Sequence, residues 1–83
     1  MKLLKFYASW CAPCKMLSTI IESTDKDLIT VEAVDIEAQR ELAMSYGIRG
    51  VPTCIIVDSD NKELRRKVGM MNEKEYTNFV KGI

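Results

Sequence analysis

The segment Leu3-Leu4-Lys5-Phe6-Tyr7-Ala8-Ser9-Trp10-Cys11-Ala12-Pro13-Cys14-Lys15 carries a short apolar run into two cysteines separated by two residues. Residues 3–8 are few, apolar and rich in aromatic side chains, so they read as a buried strand that ends at Ser9, with Lys5 the odd member. Beyond them Cys14, Leu17, Ile20 and Ile21 recur at helical spacing while Lys15, Ser18, Thr19 and Glu22 stay polar. That pattern predicts an amphipathic helix over 11–23. The cysteine pair therefore falls where a strand hands over to the first turn of a helix.

Residues 23–27 form a loop, and 28–36, with Ile29, Val31, Val34 and Ile36, read as a second buried strand. Strand, helix and strand make a βαβ unit. A second helix is expected over 38–46, with Leu42, Ala43 and Tyr46 on one face and Gly47 as its cap. Gly50-Val51-Pro52-Thr53 is a turn signal before a third buried strand at 54–57. After a turn at 59–62 the chain returns as a polar strand over 63–68, where Arg65, Arg66 and Lys67 read as a solvated sheet edge. Asn72 and Glu75 fit a capping box that opens a last helix, with Tyr76, Phe79, Val80 and Ile83 as its apolar stripe. A right-handed crossover between the first two strands and a hairpin between the last two give a mixed four-stranded sheet with helices on both faces. One α/β domain over 1–83 is expected, since 83 residues fill one small core.

Composition narrows the chemistry. Twelve basic residues balance twelve acidic ones, which offers no net field to nucleic acid or an anionic membrane. Histidine is absent, and with it the commonest general base and the usual nitrogen ligand of zinc. Three cysteines, Cys11, Cys14 and Cys54, do not make the even set of a disulfide-stapled secreted domain. The N-terminal residues lack the apolar core of a signal peptide, and no segment reaches the roughly 18 apolar residues of a membrane span. A cytoplasmic location is expected.

Cysteines at i and i+3 of a first helical turn share one face and lie within the Cα separation, about 4.4 to 6.8 Å, that a disulfide needs. Unpaired backbone N–H groups and the helix dipole favour an anion there, so Cys11 is expected to be the attacking thiolate and Cys14, one turn deeper, the resolving thiol. Pro13 sits where a missing N–H costs little. The competing reading of the pair is half a zinc site, which would lack ligands within one chain. Cys54, in an apolar strand, reads as a small core side chain. Trp10 reads as an exposed apolar contact beside the pair, and Met70 and Met71 as either groove lining or packing.

At these residues the chain resembles the thioredoxin family. The stretch from Phe6 to Lys15 looks like the family's active-site segment, with Ala12 where glycine is usual. Tyr46-Gly47-Ile48-Arg49-Gly50-Val51-Pro52-Thr53 looks like its cis-proline segment, and Lys67-Val68-Gly69 like its substrate-groove glycine. The resemblance implies a thioredoxin-like fold of minimal βαβ-α-ββα form with strand order 2-1-3-4, lacking the extra N-terminal strand and helix. It implies a cis Pro52 beside the sulfurs and a Val51 backbone that pairs with a protein substrate. Trp10, Ala12, Pro13 and Gly69 complete that implied docking surface.

A second departure is chemical: thioredoxins usually carry a buried Asp six residues before the first cysteine, and here that position is Lys5. Turned inward, Lys5 would accept a proton as a neutral amine or stabilise a thiolate as an ammonium; turned outward, its stem would pack while the ammonium reaches water.

The function implied is that of a thiol-disulfide oxidoreductase, a protein-disulfide reductase whose only redox group is the Cys11/Cys14 dithiol. It would bind no cofactor and no metal, act as a monomer on protein disulfides, and be reset by an NADPH-dependent flavoprotein of the thioredoxin reductase type. Two alternatives stand beside it. One is a glutathione-dependent glutaredoxin-like protein, against which Trp-Cys-Ala-Pro-Cys and Gly-Val-Pro speak. The other is a thioredoxin-like binding subunit of a larger enzyme.

Overall fold

The computed structural model of the protein describes residues 1–24 and 27–82. Ile83 of the expected helical stripe, and positions 25–26 of the expected loop, lie outside the described residues. In chain order the elements are β1 (Lys2–Tyr7), α1 (Ala12–Ser23), β2 (Thr30–Asp35), α2 (Arg40–Ser45), β3 (Thr53–Val57), β4 (Glu63–Val68) and α3 (Glu73–Lys81). The sheet runs β2-β1-β3-β4, with β1 and β2 parallel and the other neighbours antiparallel. This is the expected mixed sheet of order 2-1-3-4.

Strand alternation divides the interior in two. Leu3, Cys54 and Ile56 point to the face covered by α1 and α3, where Leu17, Met71, Tyr76, Phe79 and Val80 meet them. Leu4, Phe6, Ile55 and Val57 point the other way and pack with Val34 and, from α2, Ala43. Every residue of β3 is buried, as its unbroken apolar run requires of a central strand. Truncating a ring such as Phe79 to alanine removes about 3–5 kcal/mol.

The ends of the elements have local causes. Leu28 and Ile29 pack on the α1/α3 core but precede β2, because the ladder to β1 starts at the Lys2–Thr30 pair. The second helix starts at Arg40, two residues later than its apolar pattern suggests. Asp35 holds the intervening turn, its Oδ1 accepting the N–H groups of Glu37 and Ala38 at 2.9 and 3.3 Å. Gly47 takes φ +65°, the left-handed cap. The Asn72/Glu75 capping box is formed in full, with bonds of 2.8 and 3.0 Å.

β4 is the solvated edge of the sheet as expected, with Arg66 and Lys67 exposed and Arg65 half-buried, and its arginines also tie it to the helices. Arg65 donates to the Phe79 carbonyl at 3.1 Å and lies 5.3 Å over the Phe79 ring, while Arg66 pairs with Glu63 at 2.7 Å and donates to the Tyr46 carbonyl. Alternation sends consecutive arginines to opposite faces, so one ties β4 to α3 and the next ties it to the end of α2. Met71, 1% exposed, belongs to the core, and Met70 packs against that core from its margin.

Candidate active site

β1 delivers the chain to a tight turn in which the Ala8 carbonyl accepts the Cys11 N–H at 3.1 Å. Cys11 is the N-cap of α1, with extended backbone (φ −92°, ψ 105°), and its sulfur accepts the Cys14 N–H at 3.2 Å. A sulfur thus takes the place that a serine or aspartate oxygen usually fills at a helix start. Pro13 lies in the first turn, where its missing N–H leaves no bond unmade. The two sulfurs are bonded to each other, with the Cα atoms 5.3 Å apart.

Around the disulfide, Ala8, Cys11 and Cys14 form a small buried cluster against which Tyr7, Ile36 and Val51 pack. The Val51–Pro52 peptide bond is cis. The Pro52 carbonyl accepts the Gly69 N–H at 2.8 Å, and the Thr53 hydroxyl donates to the Gly50 carbonyl at 2.7 Å. Gly69, at φ +95°, adopts a conformation that suits glycine. Segments that lie far apart in the chain, around residues 8–14, 51–53 and 69, are thereby assembled on one rim. Trp10 stands beside it 68% exposed, and Ala12 and Pro13 are exposed as well.

Lys5 does not join that rim. It lies on the α1/α3 side of β1, opposite Cys54 in the antiparallel ladder, and is 9% exposed. Its Nζ donates to the Ser18 hydroxyl and sits 5.7 Å from the centre of the Tyr7 ring. The inward alternative for Lys5 is the one the fold adopts. Burial pulls the Lys5 ammonium below the ordinary lysine range, with the Cys54 and Glu22 charges opposing that shift. Burial pushes the Cys54 thiol up to about 12, against a smaller pull from Lys5. Cys54, 0% exposed, is a core side chain as expected.

Lys5 and Cys14 line one cavity of about 390 Å³, together with Tyr7, Ser9, Ser18 and Glu22. By its sequence Ser18 is merely a polar position on α1, with nothing to mark it as part of the site. Its one visible signal is spacing: it stands four residues after Cys14, hence on the same helical face.

Among the described residues, no helix is long and apolar enough to cross a membrane. The family model for thioredoxin matches residues 1–82. The thioredoxin of Chlamydia trachomatis serovar D is 37% identical over 80 residues, which cover 94% of this chain and 78% of the relative. That of Chlamydia muridarum is 34% identical with the same coverage. Among solved structures, a single-site mutant of a thioredoxin from Halobacterium salinarum NRC-1 superposes with a TM-score of 0.81 at 33% identity, covering 96% of this chain and 71% of that one. Proteins of this family act on protein disulfides through their own cysteine pair and need no added cofactor. Fold, bonded cysteine pair and relatives agree: the chain belongs to the thioredoxin family and is a thiol-disulfide oxidoreductase.

Proposed function

We propose that the protein is a reductant of disulfides in other proteins, with Cys11 as attacking thiolate and Cys14 as resolving thiol. The observation that carries this assignment is the Cys14 N–H held on the Cys11 sulfur at the start of α1. A helix N-terminus stabilises negative charge on the residue that caps it, so on reduction the proton leaves Cys11 more readily. Cys11 thiolate attacks a substrate disulfide and forms a mixed disulfide. Cys14 then attacks the Cys11 sulfur, and the substrate leaves with both of its sulfurs reduced.

Trp10, Ala12 and Pro13 on one side, and Val51, Pro52 and Gly69 on the other, form the rim on which an extended substrate segment docks. Electrons return from an NADPH-dependent flavoprotein of the thioredoxin reductase type. A monomer consisting of one domain over 1–83, working in the cytoplasm, suits this role; the buried, unpaired Cys54 thiol supports that location.

The test is turnover of a protein disulfide with NADPH and a thioredoxin reductase. The parent turns over, Cys11→Ser does not, and reduced Cys14→Ser accumulates the mixed disulfide. Reduction of the pair by glutathione alone, with no response to the reductase, would overturn the reading in favour of a glutaredoxin-like role.

A further inference from the structure

Lys5 and Cys14 are both withdrawn from solvent, at 9% and 2% exposed, and both line the cavity of about 390 Å³. Ser18 is a third member of its wall. Its hydroxyl accepts a hydrogen bond from Lys5 Nζ and keeps its own proton to donate. It lies one helical turn below Cys14 on the same face of α1, so both residues face the one cavity. We propose that Lys5, positioned by Ser18, favours the thiolate of Cys14 when the mixed disulfide resolves. This inference rests on the assignment of Cys14 as the resolving thiol.

In the resolving step the Cys14 proton leaves to solvent through the cavity, and the Lys5 ammonium and Ser18 hydroxyl compensate the negative charge left on sulfur. The thiolate attacks the Cys11 sulfur; the Cys11–Cys14 bond forms, and the bond from Cys11 to the substrate sulfur breaks. The electron pair departs on the substrate sulfur, which takes a proton from solvent. The dithiol is oxidised and the substrate disulfide reduced.

Lys5 is a positioning residue in this scheme, and other groups share its surroundings. From β1 there is Tyr7; from α1, Lys15 and Glu22; from β3, Cys54; and from α3, Tyr76. β2 presents only uncharged side chains there, Thr30, Val31 and Ala33. Glu22 partly offsets the effect of burial on the Lys5 ammonium, and Cys54 is held as a neutral thiol by its own burial. The ammonium therefore has Cys14 as the acid whose ionisation it can assist.

The experiment separates the two steps. Attack on a protein disulfide by the reduced Cys14→Ser variant reports Cys11 alone, and its failure would refute the parent assignment rather than this one. Product release from the mixed disulfide is then followed against pH in the parent, in Lys5→Met and in Ser18→Ala. A positive charge close to a thiol lowers its pKa by roughly one unit or more, so in Lys5→Met the release profile should move to higher pH by about that much, with release about tenfold slower below its midpoint. Ser18→Ala should move it in the same direction by less. Profiles that overlay the parent, or a loss of rate equal at every pH, would overturn the proposal. If Lys5→Met does not fold, the Ser18→Ala profile decides by the same criterion.

Discussion

Cys11 and Cys54 are both nearly sealed from solvent, 4% and 0% exposed, yet their surroundings ask opposite things of a thiol. Cys54 sits mid-strand, where β3 has spent its N–H groups on the sheet, and apolar neighbours push its thiol up to about 12. Cys11 sits where a helix begins and the Cys14 N–H has no carbonyl to bond, so its sulfur receives that hydrogen bond. Burial alone does not make a cysteine inert or reactive. The supply of unpaired backbone donors does.

The contrast can be broken in several ways. Replacing Cys11 by alanine should abolish protein-disulfide turnover, whereas Cys54→Ala should keep it within about twofold, measured with the purified variants; comparable losses would mean that Cys54 takes part in the chemistry. Alkylation of the reduced protein at neutral pH, read by mass spectrometry, should modify Cys11 rapidly and leave Cys54 intact. With its thiol at about 12, only about one Cys54 in 10⁵ is ionised at pH 7. Equal rates at the two sites would erase the distinction drawn between them.

Smaller effects concern stability. Cys54→Ala should cost about 1–2 kcal/mol in denaturant unfolding, by removing a buried atom from a packed strand. Its pH dependence has a definite sign. The unfolded thiol ionises near 9.0 and the folded one only at about 12, so the parent should lose stability progressively as pH rises between those values, and Cys54→Ala should not.

Lys5 behaves in the reverse sense. Burial lowers its pKa in the folded protein below the 10.5 of the free side chain, so the penalty is complete below the folded pKa and fades as pH climbs towards 10.5. Lys5→Met should therefore unfold at higher denaturant than the parent at neutral pH, with an advantage that narrows under alkaline conditions. An advantage constant across pH would assign the gain to packing alone.

Much of the fold was legible because single residues forced it. The unbroken run 54–57 could only be a central strand, Gly47 could close a helix, and Asn72 with Glu75 could open one. Element ends were less legible: Leu28 and Ile29 are as apolar as any strand residue, but a strand also needs a ladder partner, and a partner's register is not written in the segment itself. At the site, the cysteine pair was legible in its spacing at a strand-to-helix junction, and the cis proline was implied by the resemblance to thioredoxins. The Ser18 contact was not legible, because it depends on how α1 rotates over β1. Arg65 and Arg66 were legible as part of a solvated edge but not in their separate contacts, since only the sheet's facing tells two adjacent arginines apart.

The sulfur of Cys11 closes the first turn of α1 and also exchanges electrons, so helix capping and redox poise belong to one thermodynamic cycle. The folding free energies of the oxidised and reduced chains differ by as much as the disulfide's free energy of formation differs between the folded and unfolded chain. Anything that strengthens the N–H to sulfur contact in the thiolate form stabilises the reduced protein and makes the pair more oxidising. Serine at position 11 can still cap the helix while alanine cannot, a difference of about 1 kcal/mol between two inactive proteins. That gap measures the architectural share of an atom otherwise known only by its chemistry.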